Sequence, residues 1–139
     1  MSDMLAIGKQ IMASQPFSQL LKTEITQFAP GHVEMKIPIS HELKQQHGFL
    51  HGGVVSYAAD NALTFAAGSM MNVPIVTSEF KINYVRPAVG ETLIARATVV
   101  YVGKTQAVCR SDLFIVKDGV EKLCAVAQGT IVRIGQENK

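Results

Sequence analysis

The period of the apolar positions changes along this chain, and each change marks an element. In residues 2–13, Met4, Leu5, Ile7, Ile11 and Met12 recur at helical spacing. They predict a short amphipathic helix capped by Ser2 or Asp3 and stopped by Pro16. Residues 18–29 are strand-like with mixed alternation, and Pro30-Gly31 forms a tight turn. Val33, Met35, Ile37 and Ile39 then alternate with His32, Glu34 and Lys36, so the two segments predict a hairpin. After a loop over 40–50, the twenty residues Gly52 to Met71 are nearly all apolar or small, and Asp60 is their one charge. This stretch predicts one long helix, with its exit before Pro74. From there the period is two. Phe80, Ile82 and Tyr84 share one face, and Leu93, Ala95, Ala97, Val99 and Tyr101 share another. Two further strands, 105–117 and 120–134, flank Lys117-Asp118-Gly119, where Asp-Gly signals a hairpin.

The order is an N-terminal helix within 1–15, a hairpin, a central helix over 52–71 and a β-meander over 75–134. No repeat, linker or composition break divides it, so 1–139 is expected to be one domain of the α+β class. One apolar helix among so many strands predicts an antiparallel sheet curled around that helix. A helix apolar on nearly every face is normally buried on every face. The sheet covers one side, which leaves the other for a second subunit.

Composition narrows the function. The chain is 47% apolar with a net charge of +2, too weakly basic for nucleic acid, where a clustered basic face is expected. Residues 1–13 contain Asp3 and lack the continuous apolar core of a secretory signal. Asp60-Asn61 in the middle of the one long apolar run argues against a membrane span. Cys109 and Cys124 sit inside predicted strands and read as buried thiols of a cytoplasmic protein.

The candidate chemistry lies on the long helix. His51-Gly52-Gly53 places residues without side chains where helix N-terminal amides lack partners, a seat for negative charge developing on a carbonyl oxygen. Eight residues on, Asp60 is a carboxylate that needs partners or a task. At about 1.5 Å per residue the two stand roughly 12 Å apart along one axis. Two antiparallel copies of the helix would bring Asp60 of one chain near Gly52 of the other, a site shared by two chains. His41, His47 and His51 lack the tight spacing of zinc ligands, so no metal is expected. His51 reads first as a residue that orients the loop by hydrogen bonding, and second as an acid or base.

The run Gln45-Gln46-His47-Gly48-Phe49-Leu50-His51-Gly52-Gly53, followed by Ala59-Asp60-Asn61-Ala62, resembles the hotdog-fold thioesterases. The likeness is to the PaaI-like branch, whose motif is Asn-x-x-Gly-x-x-His-Gly-Gly with an Asp nine residues after the His. Asn83-Tyr84-Val85-Arg86-Pro87-Ala88, Gly90-Glu91 and Gly103-Lys104-Thr105 are also similar, so the resemblance runs from about residue 18 to 134. It implies a hydrolase of acyl-CoA thioesters that needs no cofactor beyond the coenzyme A of its substrate. It also implies a homodimer that often pairs into a homotetramer, a dimer of dimers. By the match, Gly52 supplies the N–H that polarises the thioester carbonyl, and Asp60 of the partner chain is nucleophile or general base. Thr77 falls near the position where some relatives place a Ser or Thr that helps orient the water. Gln45 stands where the motif has Asn, an amide one methylene longer. Gly53 gives the ligand close approach, while Arg86 and Lys104, with Tyr84 and Thr105 on the same rim, are candidates to meet coenzyme A. The competing functions are a hotdog hydratase or dehydratase and a non-catalytic acyl- or CoA-binding protein.

Overall fold

Pro16 ends the first helix as expected, but it also begins another. In the computed structural model, which describes residues 2–135, α1 (Ser2–Ala13) is followed directly by α2 (Pro16–Leu20). Pro16 sits at the start of α2, where a missing N–H breaks no helical bond. The strand expected from residue 18 therefore starts later, as β1 (Glu24–Ala29). α1 already runs from Ser2, so Asp3 stands in its first turn rather than capping it. The side chain of Ser2 lies outside the described residues.

β2 (His32–Pro38) pairs with β1 as the expected hairpin. A 3-10 turn (His41–Leu43) leads to the central helix α3 (Gly52–Met71), whose bounds coincide with the apolar run. Four strands follow: β3 (Ile75–Tyr84), β4 (Thr92–Val102), β5 (Gln106–Lys117) and β6 (Val120–Arg133). All six strands form one antiparallel sheet in the order β1-β2-β4-β5-β6-β3.

That order corrects the expected meander. β4, β5 and β6 are consecutive neighbours, but β3 pairs with β6, from Ile75↔Arg133 to Tyr84↔Ala125, and β4 pairs with β2. The connection over 85–91 crosses the end of the sheet instead of turning back. The Val85 N–H donates to the Cys124 carbonyl of β6 at 2.9 Å, and the Glu91 N–H donates to the Val116 carbonyl of β5 at 2.8 Å. A second correction concerns Tyr101. The β4–β5 register slips between Val99 and Tyr101, and a bulge reverses the alternation beyond it. Val99 and Val102 pack on the core, while Tyr101 is exposed.

The sheet curls around α3, which touches every strand. The buried face of α3 carries Val55, Ala58, Ala59, Ala62, Leu63, Phe65, Ala66 and Ala67; small side chains there let the strands approach. Its other face is more polar than expected: Ser56, Tyr57, Asp60, Asn61 and Thr64 are only half-buried. α1 and α2 cover part of it. The Tyr57 hydroxyl meets the Ser18 and Thr23 hydroxyls at 2.5 and 2.9 Å, and the Asn61 amide donates to it at 3.2 Å. Among the described residues no helix is long and apolar enough to cross a membrane.

The outer sheet face carries an ionic strap. Arg96 of β4 donates from Nε to Glu34 of β2 at 2.7 Å and from both terminal nitrogens to Glu121 at 2.8 Å, and lies 4.9 Å from the Phe114 ring centroid. Glu34 is buried and also accepts from Thr26 of β1 at 2.7 Å. Burial alone would raise its carboxyl. The Thr26 and Arg96 hydrogen bonds, with the charges of Arg96 and Lys36, bring it below the ordinary carboxylate value.

Candidate active site

The N-terminus of α3 is built by its own loop. Gly48, in left-handed conformation at φ +87°, turns the chain, and the Gln45 N–H donates to the Phe49 carbonyl at 2.9 Å. The loop is fastened by the Leu50 N–H to the Ala88 carbonyl at 2.9 Å and by the His51 N–H to the Leu43 carbonyl at 2.8 Å. Its end places His51 as the N-cap of α3, with Nδ1 accepting the Gly53 N–H at 2.8 Å. A ring nitrogen that accepts carries no proton, so this cap uses Nδ1 as its acceptor and leaves Nε2 as the ring's donor. A Cβ on Gly53 would lie 3.0 Å from that Nδ1, so any larger residue there would make the capping ring give by a few tenths of an ångström.

Gly52 is different. The His51 ring takes the Gly53 N–H and the His51 carbonyl takes the Val54 N–H at 3.0 Å. The Gly52 N–H donates to no atom among the described residues. The nearest atoms a Cβ on Gly52 would meet belong to Tyr84, from 3.6 Å, an ordinary contact. The fold of this chain does not need glycine at 52. Gly52 lines a cavity of about 340 Å³, with Gln45, Phe49, Tyr84, Arg86 and Cys124 among its other walls. The Tyr84 hydroxyl donates to the Gly52 carbonyl at 3.3 Å, and Arg86 donates to the Leu123 carbonyl at 3.3 Å. The Gln45 side chain folds onto its own loop, its Oε1 accepting the His47 N–H. Burial pushes the Cys124 thiol up to about 11, so it stays protonated at neutral pH and is no nucleophile.

Asp60 lies two turns further along α3, outside that cavity. Its Oδ1 accepts the Thr77 hydroxyl of β3 at 2.6 Å, and the Thr77 oxygen is 3.1 Å from the Thr64 hydroxyl. Each hydroxyl has one proton. With the Thr77 proton given to Asp60, the contact between the two threonines is a hydrogen bond when Thr64 is the donor; Thr64 also lies 3.0 Å from the Asp60 carbonyl. One carboxylate oxygen is thus held, and Oδ2 has no partner among the described residues. Sequence reading missed Thr64, although its place four residues after Asp60 on the same helix face was a usable signal.

One chain therefore gathers Gly52, Gln45, Tyr84 and Arg86 at one end of α3, and Asp60 with Thr77 midway along it. Lys104 and Thr105 are at the opposite end. Their carbonyls accept from Arg133, at 3.3 and 3.0 Å, and Arg133 pairs with Ile75 at the start of β3. Tyr84 and Arg86 sit at and beyond the end of that strand, about 30 Å away at roughly 3.3 Å per residue. His41 and His47 are exposed.

Residues 47–122, more than half of the chain, match the Thioesterase superfamily. A thioesterase family protein from Silicibacter pomeroyi superposes with a TM-score of 0.87 at 39% identity, over 91% of this chain and 95% of that one. The PaaI protein of E. coli, from the phenylacetic acid degradation operon, gives a TM-score of 0.83 at 25% identity over 92% and 91% of the two chains. A thioesterase from Haemophilus influenzae gives 0.80 at 27% identity over 92% and 88%.

Proposed function

The chain belongs to the thioesterase superfamily, in its PaaI-like hotdog branch, and from that premise we propose that it hydrolyses acyl-CoA thioesters at a site shared by two chains. The observation that carries the reading is a separation. The free Gly52 N–H and the held Asp60 carboxylate are on one helix, roughly 12 Å apart along its axis. Neither group reaches the other's reaction centre within one chain, yet each is prepared for one half of an acyl transfer.

In this reading the thioester carbonyl oxygen accepts the Gly52 N–H, with the positive end of α3 behind it. Asp60 of the other chain, fixed by Thr77 through Oδ1, uses Oδ2. Acting as base, it takes a proton from water as the water oxygen bonds to the carbonyl carbon. The tetrahedral intermediate then expels the thiolate of coenzyme A by breaking the C–S bond, and the thiolate takes the proton back. Acting as nucleophile, Oδ2 bonds the carbonyl carbon and the C–S bond breaks to expel the thiolate of coenzyme A; water then adds to the acyl carbon of the anhydride, frees the acid and the Asp60 carboxylate, and gives its proton to the thiolate. A thioester is activated enough that neither route needs a triad. The free edge of β3 and the half-buried polar stripe of α3 are the surfaces a second copy would cover; pairing of dimers into a tetramer extends the same proposal.

Release of free thiol from a panel of acyl-CoAs tests the reading, because a non-catalytic acyl binder yields affinity without product. Asp60→Asn should abolish turnover while oligomer and substrate binding persist. Co-expressed Asp60→Asn and Gly52→Pro chains should regain activity, since a mixed dimer keeps one site with both groups intact. Verified mixed dimers that stay inactive, with both parents folded, would place both groups of the site in one chain and refute the shared arrangement.

A further inference from the structure

A second and larger cavity lies further along α3 from Gly52 than Asp60 does, its lining on that helix starting at Thr64, one turn past Asp60. It opens between α1, the C-terminal half of α3 and the start of β3, with a volume of about 610 Å³, within the range of small-molecule sites. Its walls include Ile7 and Ile11 of α1, Phe28 of β1, Phe65 and Gly68 of α3, and Ile75 of β3. Among the described residues no charged side chain lines it. Ile7 and Ile11 are 54% and 44% exposed, large apolar groups turned to water along a groove rather than packed in the core.

Two further observations identify an occupant. Thr64 belongs to the wall of this groove, and its hydroxyl is 3.1 Å from the Thr77 oxygen that holds Asp60. The groove thus begins at Thr64, one residue's contact removed from the carboxylate through Thr77. Its lining runs along α1 from Met4 to Ile11 and along α3 from Thr64 toward Asn72, a length of about 10–12 Å at 1.5 Å per residue. A long, uncharged trough matches a linear alkyl chain better than a compact ring or a second carboxylate.

We propose that this groove holds the acyl chain, and that the enzyme prefers linear, uncharged acyl groups of medium or greater length. The inference rests on the thioesterase reading, with α1 as the wall that selects chain length. The test is kcat/KM for butyryl-, octanoyl-, lauroyl-, phenylacetyl- and succinyl-CoA with the wild-type protein and with Ile7→Asp and Ile11→Asp. Wild-type kcat/KM should rise about three- to fourfold for each methylene that enters the groove. Phenylacetyl- and succinyl-CoA should fall below octanoyl-CoA. Each Asp variant should lower the lauroyl-to-butyryl ratio at least tenfold, with folding checked by thermal melting. A flat chain-length profile, or a preference for phenylacetyl- or succinyl-CoA, overturns the proposal. So does an unchanged ratio in a folded Ile7→Asp protein that has lost its oligomeric state in sedimentation, because the groove then seats a second copy of the chain. If no acyl-CoA is turned over, the thioesterase reading has failed. Calorimetric affinity for lauroyl- against butyryl-CoA then still decides the groove, equal affinities counting against it.

Discussion

Replacing Gly52 by proline deletes one hydrogen-bond donor with little other disturbance. Gly52 is the first residue of α3, the helical position where proline is best tolerated. The residue before a proline must be extended, and His51 already is, at φ −62° and ψ 135°. The lost N–H has no partner among the described residues, so no protein hydrogen bond is broken. The first added carbon would lie 3.6 Å from the Tyr84 ring. Where proline fits the native backbone it stabilises by about 0.4–1 kcal/mol through the unfolded chain, so thermal stability should hold or rise slightly. Activity should not. Loss of one oxyanion donor typically lowers kcat by about 10²–10³-fold, or roughly 3–4 kcal/mol of transition-state stabilisation. The assay pairs a thermal melt with thiol release from the best acyl-CoA, using Gly52→Ala as the control that keeps the N–H and adds only a methyl group. Proline should be the more damaging of the two. A stable Gly52→Pro enzyme within threefold of wild type would show that this N–H polarises nothing. A Gly52→Pro protein that fails to fold would refute the claim that the N–H is structurally idle.

Thr77→Val removes the 2.6 Å donor to Asp60 and should lower kcat/KM by about 10- to 100-fold, the worth of a hydrogen bond to a charged group. Thr77→Ser should restore most of the loss; equal losses in Val and Ser would mean the hydroxyl does not position the carboxylate. Arg96→Met should destabilise the protein by about 2 kcal/mol at neutral pH in denaturant titrations, between the values for buried and exposed pairs because Arg96 is a third exposed. The Glu34 carboxyl is depressed in the fold, so its contribution is present above its unfolded pKa and fades as pH falls through the folded value. The gap between wild type and Arg96→Met should therefore narrow in acid, and a gap that widens would contradict the assignment. Burial pushes the thiols of Cys109 and Cys124 up to about 11, so a thiol reagent should report neither in the native protein at neutral pH. Prompt labelling would show that one of these strands opens readily.

By itself the sequence determined the elements whose signal is local. The apolar run of residues 52–71 is α3 to the residue, because the length of an unbroken apolar run and the Asn72-Val73-Pro74 exit depend only on neighbours along the chain. The turns at Pro30-Gly31 and Asp118-Gly119 were legible for the same reason, and the motif from His51 to Asp60 pointed to the family. Tertiary structure decided what depends on partners far along the chain. Alternation assigns a residue to a face but does not name the neighbouring strand, so the pairing of β3 with β6 was invisible until the 85–91 connection crossed the sheet end. Residues 18–20 read as strand because Leu20 and Leu21 are apolar. In the fold Leu21 is buried and Leu20 is exposed, as the tail of a helix that Pro16 starts. The hold of Thr77 on Asp60 joins residues seventeen apart on different elements, and the Arg96 strap joins strands that only sheet order brings together. Spacing along one helix could show that Gly52 and Asp60 do not meet. Only packing showed that Gly52 keeps a free N–H while the next amide is capped by His51, since that depends on where a side chain turns.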